Sequence, residues 1–262
     1  MMHFGINTWS YPESVPLERA LEHAKSVGYK GFQVAVVEED LNGFSEDKWK
    51  KIAERANKVG IEIPSVSTGL FWQYNFMRQP EEALKIVDAE CHAARILGAK
   101  LILVVPGTGV PELSYEEHFT HATKALKEAG KIGRRYGIHI GIENVWNHIF
   151  AGPLEFKQLI DEVDDEWVGA YFDVGNTLPH SLPEHWIQVL NKKIIEVHVK
   201  DYAMWKGAFG IPLNGDVNWP AVRKALEDID YDGYILPEVP VYPGDPYEAV
   251  EDSLRALQKI FK

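Results

Sequence analysis

Apolar residues in this chain alternate between two rhythms. Short unbroken runs such as LILVV (Leu101 to Val105) suit parallel strands buried on both faces. Longer stretches recur every three or four positions: WKKIAERANKV puts Trp49, Ile52, Ala53, Ala56 and Val59 on one helical stripe. The junctions repeat as well, in VGYKGFQVAV, VGIEIPSVS, LGAKLILVV and YGIHIGIENV. There Gly28, Gly60, Gly98 and Gly137 suit the left-handed position that follows a helix and releases the chain into the next strand. The pattern predicts eight strands, at residues 2–8, 31–37, 61–67, 100–105, 138–144, 168–174, 194–200 and 233–239. Between them, Ser45 is expected to cap a helix, and Pro80, Pro153, Pro183 and Pro246 to occupy first-turn positions, where a missing N–H costs little. Eight strand–helix alternations predict an α/β chain folded as a single (β/α)8 TIM barrel, one catalytic domain over residues 1–262. An open doubly wound sheet would also accommodate the alternation, but its glycine-rich dinucleotide signature is absent from NTWSYPES, after the first strand.

Composition agrees with this and removes some partners. The chain has 262 residues, 45% of them hydrophobic, enough for one closed barrel of this kind. A formal charge of −12 argues against nucleic acid or an anionic membrane surface, both of which are recognised through clustered Lys and Arg. Cys91 is the sole cysteine, which excludes an intramolecular disulfide and a multi-cysteine zinc motif. MMHFGINTWSYPES carries no leader signature, and no apolar run approaches the roughly 18 residues of a membrane span, so a cytoplasmic location is expected.

Against this frame, four ligand-type side chains fall at strand ends: Glu143 in GIENV, Asp173 in AYFDVGN, His198 in IIEVHVKD and Glu238 in YILPEV. Parallel strands of a closed sheet deliver such residues to the carboxyl face of the barrel. Three carboxylates within about 4 Å repel by roughly 4 kcal/mol per contact at an effective dielectric near 20, so a cation or shared protons must compensate. One divalent metal is the natural counterion, and an oxygen-rich set with one imidazole suits Mn²⁺ first, then Mg²⁺ or Co²⁺. The competing reading has Asp173 capping the next helix and His198 held as a hydrogen-bonded core residue. Three long connections, TGLFWQYNFMRQP, PGTGVPELSYEE and DYAMWKGAFGIPLNGDVNW, are expected to form walls or a lid, with Trp72 among the exposed aromatics. Asn176, Lys200, Trp146, Asn147 and His148 stand close enough to the strand ends to contact substrate. For Lys200 the alternative is an ion pair with Asp201 or another acid.

The ordered motifs GIENVWN, YFDVGNT, EVHVKD, LNGDVNWPAVRKAL and DGYILPEV resemble the xylose isomerase-like barrels of sugar isomerases and epimerases. The similarity is greatest to ketose 3-epimerases and L-ribulose- or L-xylulose-5-phosphate 3-epimerases. The resemblance implies that Glu143, Asp173, His198 and Glu238 ligate the metal while Glu143 and Glu238 act as acid and base. It implies epimerisation of a ketose or ketose phosphate at C3, through a metal-stabilised enediolate. An aldose–ketose or hydroxypyruvate-type isomerase is the first alternative; a non-catalytic sugar-binding barrel and an abasic-site endonuclease, the latter of the same superfamily, are alternatives of a different functional class. Asn176 stands where some relatives carry histidine, and Met204 and Trp205 where some epimerases carry an arginine. Exposed aromatic loops or outer helices offer surfaces for a homo-oligomer.

Overall fold

The computed structural model describes residues 2–42 and 46–262. Its strands are β1 (His3–Asn7), β2 (Gly31–Val36), β3 (Ser65–Thr68), β4 (Leu101–Val104), β5 (His139–Glu143), β6 (Val168–Asp173), β7 (Ile194–Val199), β8 (Asp201–Ala203), β9 (Ala208–Gly210) and β10 (Tyr234–Pro237). The first seven and β10 close into a parallel barrel in the order β1-β10-β7-β6-β5-β4-β3-β2, while β8 and β9 form a separate antiparallel pair. The fold is a (β/α)8 TIM barrel, with helices interleaved between the strands.

The local signals act as their chemistry requires. Gly28, Gly60, Gly98 and Gly137 all have positive φ after a helix. Pro80, Pro153 and Pro183 each open a helix. The helix Glu46–Val59 buries Trp49, Ile52 and Ala56, with Ala53 and Val59 half-buried beside them. Ser45 lies outside the described residues.

Three expectations need correction. Pro246 does not sit in a first turn: the last helix starts at Glu248, because the Asp245 carboxylate accepts the N–H groups of Tyr247 and Glu248 and turns the chain first. Strand β3 starts at Ser65 rather than at residue 61, with Glu62 joined to β2 only by an isolated bridge to Gly31. The third long connection is not all loop, since it contains the β8–β9 hairpin.

That hairpin is anchored by Asp201, which does not pair with Lys200. Its buried carboxylate accepts the N–H groups of Tyr202, Leu213 and Val217 and the indole N–H of Trp219, at 2.8 to 3.0 Å. Gly215 makes this possible, because a Cβ there would lie 2.4 Å from Asp201 Oδ1 and 2.6 Å from the Tyr202 carbonyl oxygen. Asp201→Ala would leave four donors without their acceptor, and we expect it to destabilise the fold by about 3 to 5 kcal/mol in urea unfolding. An effect below about 1 kcal/mol would show that the network does not hold the hairpin.

Candidate metal and active site

The four ligand-type residues lie on four consecutive strands of the barrel wall. Glu143 ends β5, Asp173 ends β6, His198 lies near the end of β7, and Glu238 follows β10. Asp173 and His198 are direct register partners. One ligand atom from each residue falls within a group whose members all lie within 4.8 Å of one another. The two glutamates are the outer members of this arc, on either side of Asp173 and His198.

Three of these side chains are positioned by a polar residue on a neighbouring segment. For Asp173 it is Asn144: the Asn144 amide donates to the Asp173 carbonyl at 2.9 Å and accepts the Asp173 N–H at 2.8 Å. For Glu238 it is Ser10, whose Oγ lies 3.2 Å from the Pro237 carbonyl oxygen and accepts the Val239 N–H at 3.2 Å. For His198 it is Gln33, inside the barrel. Gln33 Nε2 donates to Ser65 Oγ at 3.1 Å and to Tyr171 Oη at 2.8 Å, which leaves Gln33 Oε1 facing His198 Nε2 at 3.0 Å. An acceptor there makes Nε2 the protonated nitrogen and turns Nδ1 toward the carboxylates, 3.2 Å from Glu143 Oε1 and 4.0 Å from Glu238 Oε2. None of the three positioning residues was singled out in the sequence. Each is a single polar side chain, Gln33 in mid-strand and Asn144 and Ser10 beyond strand ends, and its use shows only once the strands are paired.

Capping and ligation do not exclude one another at Asp173. Its Oδ1 accepts the Asn176 N–H at 2.8 Å, as a helix cap does, while Oδ2 is buried with no hydrogen bond. That second oxygen lies 3.0 Å from the Lys200 ammonium, which also contacts Glu238 Oε2. Lys200 therefore pairs with the ligand carboxylates. Gly175 permits this approach, since a Cβ there would fall 2.5 Å from Lys200 Cγ and 2.7 Å from its carbonyl oxygen.

One ammonium does not neutralise three carboxylates, of which Glu143 and Asp173 are buried and Glu238 half-buried. Burial pushes the Glu143 carboxyl up to about 7, with His198 opposing and Glu238 adding to the rise. Burial also raises Asp173, against the pull of Lys200. Burial acts the same way on Glu238, but Lys200 and His198 outweigh it and hold that group below the usual carboxylate range. For His198, burial opposes the charged form, yet the hydrogen bond that Glu143 accepts from the imidazolium and the charges of Glu238, Glu143 and Asp173 raise it overall. The cluster thus gathers protons and an ammonium where a small cation would fit. Asp173 Oδ2, which Lys200 pairs with, the oriented His198 Nδ1 and the two glutamates are a donor set that could bind a metal.

Glu143 and Glu238 line a cavity of about 370 Å³, walled by Trp9, Trp72, Trp146 and Phe209, with Asn176 and Lys200 also facing it, whereas Asp173 and His198 are fully buried. Trp146 donates its indole N–H to the Asn176 carbonyl at 2.8 Å and packs 4.9 Å from Phe209, ring centre to ring centre. Asn176 Nδ2 donates to the Asn144 carbonyl at 3.0 Å. Asn147 is buried outside this wall, with Nδ2 donating to the Gly107 carbonyl at 2.8 Å, and His148 is exposed at positive φ. Of the three long connections, the first contributes Trp72 and the third Phe209, whereas PGTGVPELSYEE lends no lining residue among those described. Phe71 and Phe76 are buried together in the core, 5.1 Å apart, and Met204 and Trp205 are exposed.

Comparison with known proteins places this architecture. The family model for the xylose isomerase-like TIM barrel matches residues 21–260. The chain belongs to that family. An inosose dehydratase of Clostridium perfringens is 23% identical over 255 residues, covering 84% of this chain and 81% of the relative. An L-ribulose 3-epimerase structure superposes with a TM-score of 0.84 at 14% identity, covering 100% of this chain and 95% of that one. The structure of the IolI protein with a binding zinc atom superposes at 0.83 and 19% identity, covering 99% and 98%. At such identities the structural likeness establishes the shared fold.

Two predictions follow from these contacts. Gln33→Leu removes the acceptor that orients His198 and is expected to weaken binding of Mn²⁺ by about 10- to 100-fold in isothermal titration calorimetry; unchanged affinity would remove Gln33 from the site. The second concerns pH. A folded-state carboxyl near 7, against 4.5 for an ordinary glutamate, is stabilising when protonated and loses that advantage as pH rises between the two values. Glu143 alone would contribute on the order of 3 kcal/mol to this loss, with Asp173 adding and Glu238 opposing. Metal-stripped protein should therefore melt lower at pH 8 than at pH 5.5, and Mn²⁺ should raise the melting temperature much more at pH 8. Equal metal-induced shifts at the two pH values would contradict this electrostatic account.

Proposed function

We propose that this protein is a divalent-metal-dependent sugar epimerase that inverts C3 of a ketose, with Glu143 and Glu238 as the two proton-transfer groups. The observation that carries the reading is the placing of these glutamates at the two ends of the ligand arc, facing one aromatic-walled cavity. Inversion requires a proton to leave one face of a carbon and return to the other, which two separated carboxylates can do and one cannot easily do. Glu143, Asp173, His198 and Glu238 would hold the metal, with Mn²⁺ preferred and Mg²⁺ or Co²⁺ acceptable to the same donor set. When bound, the metal would polarise the substrate carbonyl and so acidify the adjacent C–H. Glu143 or Glu238 takes that proton, and the other glutamate delivers one to the opposite face. Asp173 and His198 stay fixed by Asn144 and Gln33, while Trp72 and Trp146 bracket the sugar and exclude water.

The cavity favours an unphosphorylated ketose over a ketose phosphate. Lys200 is the only Lys or Arg among the described lining residues, and two carboxylates already hold it. A phosphate would meet two acids there, Glu143 and Glu238, whereas the C–H faces of a neutral sugar can pack on the four aromatic rings.

A second reading, dehydration of a cyclic keto-polyol, is supported by the inosose dehydratases among the relatives. It begins with the same proton abstraction beside a carbonyl and ends in loss of a β-hydroxyl group. Incubation of the Mn²⁺-loaded protein with a panel of ketoses, ketose phosphates and inososes in D₂O separates the two. Epimerisation incorporates one deuterium at C3 with inversion and no loss of water; dehydration yields a product lighter by one water. Transfer between C1 and C2 would instead identify an isomerase, and absence of both exchange and product would reject enzymatic function on these substrates. Glu143→Gln and Glu238→Gln are each expected to lower kcat by about 10²- to 10⁴-fold with substrate binding retained. Wild-type turnover in either variant would reject its proton-transfer role.

A further inference from the structure

The NTWS turn at the end of β1 lacks the glycines of a dinucleotide-binding loop, and its four side chains have other uses. Thr8 fastens the turn to β2, donating its hydroxyl to the Gln33 carbonyl at 2.9 Å and accepting the Ala35 N–H at 3.0 Å. Trp9 stands in the wall of the cavity. Ser10 reaches across to the end of β10 and touches the peptide groups on both sides of Glu238. Asn7, fully buried, closes the turn on itself: its Oδ1 accepts the Ser10 N–H at 3.0 Å and faces the Ser10 hydroxyl at 2.9 Å.

The pairing of β10 explains why this turn matters. On the β7 side the ladder runs to Pro237 opposite Val199, and the Glu238 N–H then donates to the Val199 carbonyl at 3.1 Å. On the β1 side the pairing ends at Ile235 opposite Phe4, and Pro237 has no N–H with which to extend it. Glu238 therefore leaves the sheet with one flank unsupported, and the Ser10 hydroxyl takes the place of the missing strand. A hydroxyl turns to suit its partners unless its own proton is committed. Asn7 Oδ1 and the Pro237 carbonyl, 3.2 Å away, are the acceptors for that proton; a bond to Asn7 leaves an Oγ lone pair for the Val239 N–H. Asn7 Nδ2, by contrast, is buried with no partner among the described residues, at a cost of about 1 to 3 kcal/mol. Only the oxygen of this amide is used, and it is the oxygen that fixes Ser10.

We propose that Asn7 is a positioning residue for proton transfer at one face of the substrate: acting through Ser10, it holds Glu238 at its end of the arc and leaves Glu143, on β5, untouched. The inference rests on the epimerase reading above. Because the two glutamates serve opposite faces of C3, loosening one of them makes the two epimers behave differently. For the epimer whose C3 proton Glu143 removes, the planar intermediate still forms; once the Glu143 carboxyl has exchanged its proton with solvent, it returns a deuteron to the same face, and deuterium enters without inversion. For the other epimer the first step itself needs Glu238, and both exchange and inversion are lost.

The test compares wild type with Asn7→Ala and with Ser10→Ala, which breaks the same link one bond further on with a smaller change. Each epimer of a ketose pair that the wild type interconverts is supplied separately in D₂O at saturating Mn²⁺. Inversion is expected to fall by about 10- to 100-fold in both variants, while C3 exchange without inversion persists for one epimer and disappears for the other. Independently of turnover, the Val239 amide, followed by NMR, should exchange with solvent about 10-fold faster in both variants, with the amides of β6 unchanged. Wild-type protection of Val239 in either variant would overturn the proposal, as would inversion at the wild-type rate or equal loss of exchange from both epimers. A wild type that exchanges no C3 proton would overturn the epimerase reading instead, and the Val239 amide would then decide alone whether Asn7 holds the Glu238 segment.

Discussion

The repulsion among three carboxylates, two buried and one half-buried, at one end of a barrel is the constraint around which this site is built. Glu143, Asp173 and Glu238 are drawn together by strands that have no freedom to separate them, and within 4.8 Å their charges cannot stand unopposed. The Lys200 ammonium offsets part of the charge. The remainder is a charge that a small cation could offset. The neighbouring polar groups serve the same end: Asn144, Ser10 and Gln33 hold the donors in place so that the repulsion is not relieved by their swinging apart. A cluster allowed to relax would lose both its hold on a metal and the separation of its two glutamates.

Orientation matters as much as charge. Gln33 is itself fixed by Ser65 and Tyr171, so the imidazole of His198 is set by a chain of hydrogen bonds that begins in the barrel interior. Asp173 divides its two oxygens, one closing the turn of AYFDVGN and one left for a cation. The aromatic wall adds selectivity of another kind. The β8–β9 hairpin brings Phe209 over Lys200, 5.0 Å from ring centre to ammonium, and Asp201 holds that hairpin beside β7. The VHVKD motif thus carries the histidine of the four-residue cluster, the lysine that pairs with the carboxylates, and the anchor of one cavity wall in four successive positions.

Much of this was legible in the sequence. Strand and helix alternation, the glycine caps and three of the four first-turn prolines appear in the structure where the periodicity puts them. The residues gathered into the ligand arc could be read because each stands as an acid or a histidine at the end of an apolar run. Gln33 could not. It points into the barrel from mid-strand, and inward parity becomes meaningful only when closure shows which face is inside. Pro246 misled because Asp245 starts the helix by a different route. The hairpin was hidden because its turn lies in AMWKGAF, where apolar and small residues show no strand alternation. Loop proximity was also a poor guide to the cavity wall: Trp146 and Asn176 line it, while the adjacent Asn147 is consumed by the Gly107 carbonyl.

The central claim is that a divalent cation completes the charge of the four-residue arc. The most direct measurement is an anomalous-difference map collected at the manganese edge from a crystal of the protein soaked in Mn²⁺. The account predicts one strong peak per chain, within coordination distance of Glu143, Asp173, His198 and Glu238, with the Lys200 ammonium moved away from Asp173 Oδ2. A map with no peak at the arc, and with Lys200 still bridging Asp173 and Glu238, would contradict it.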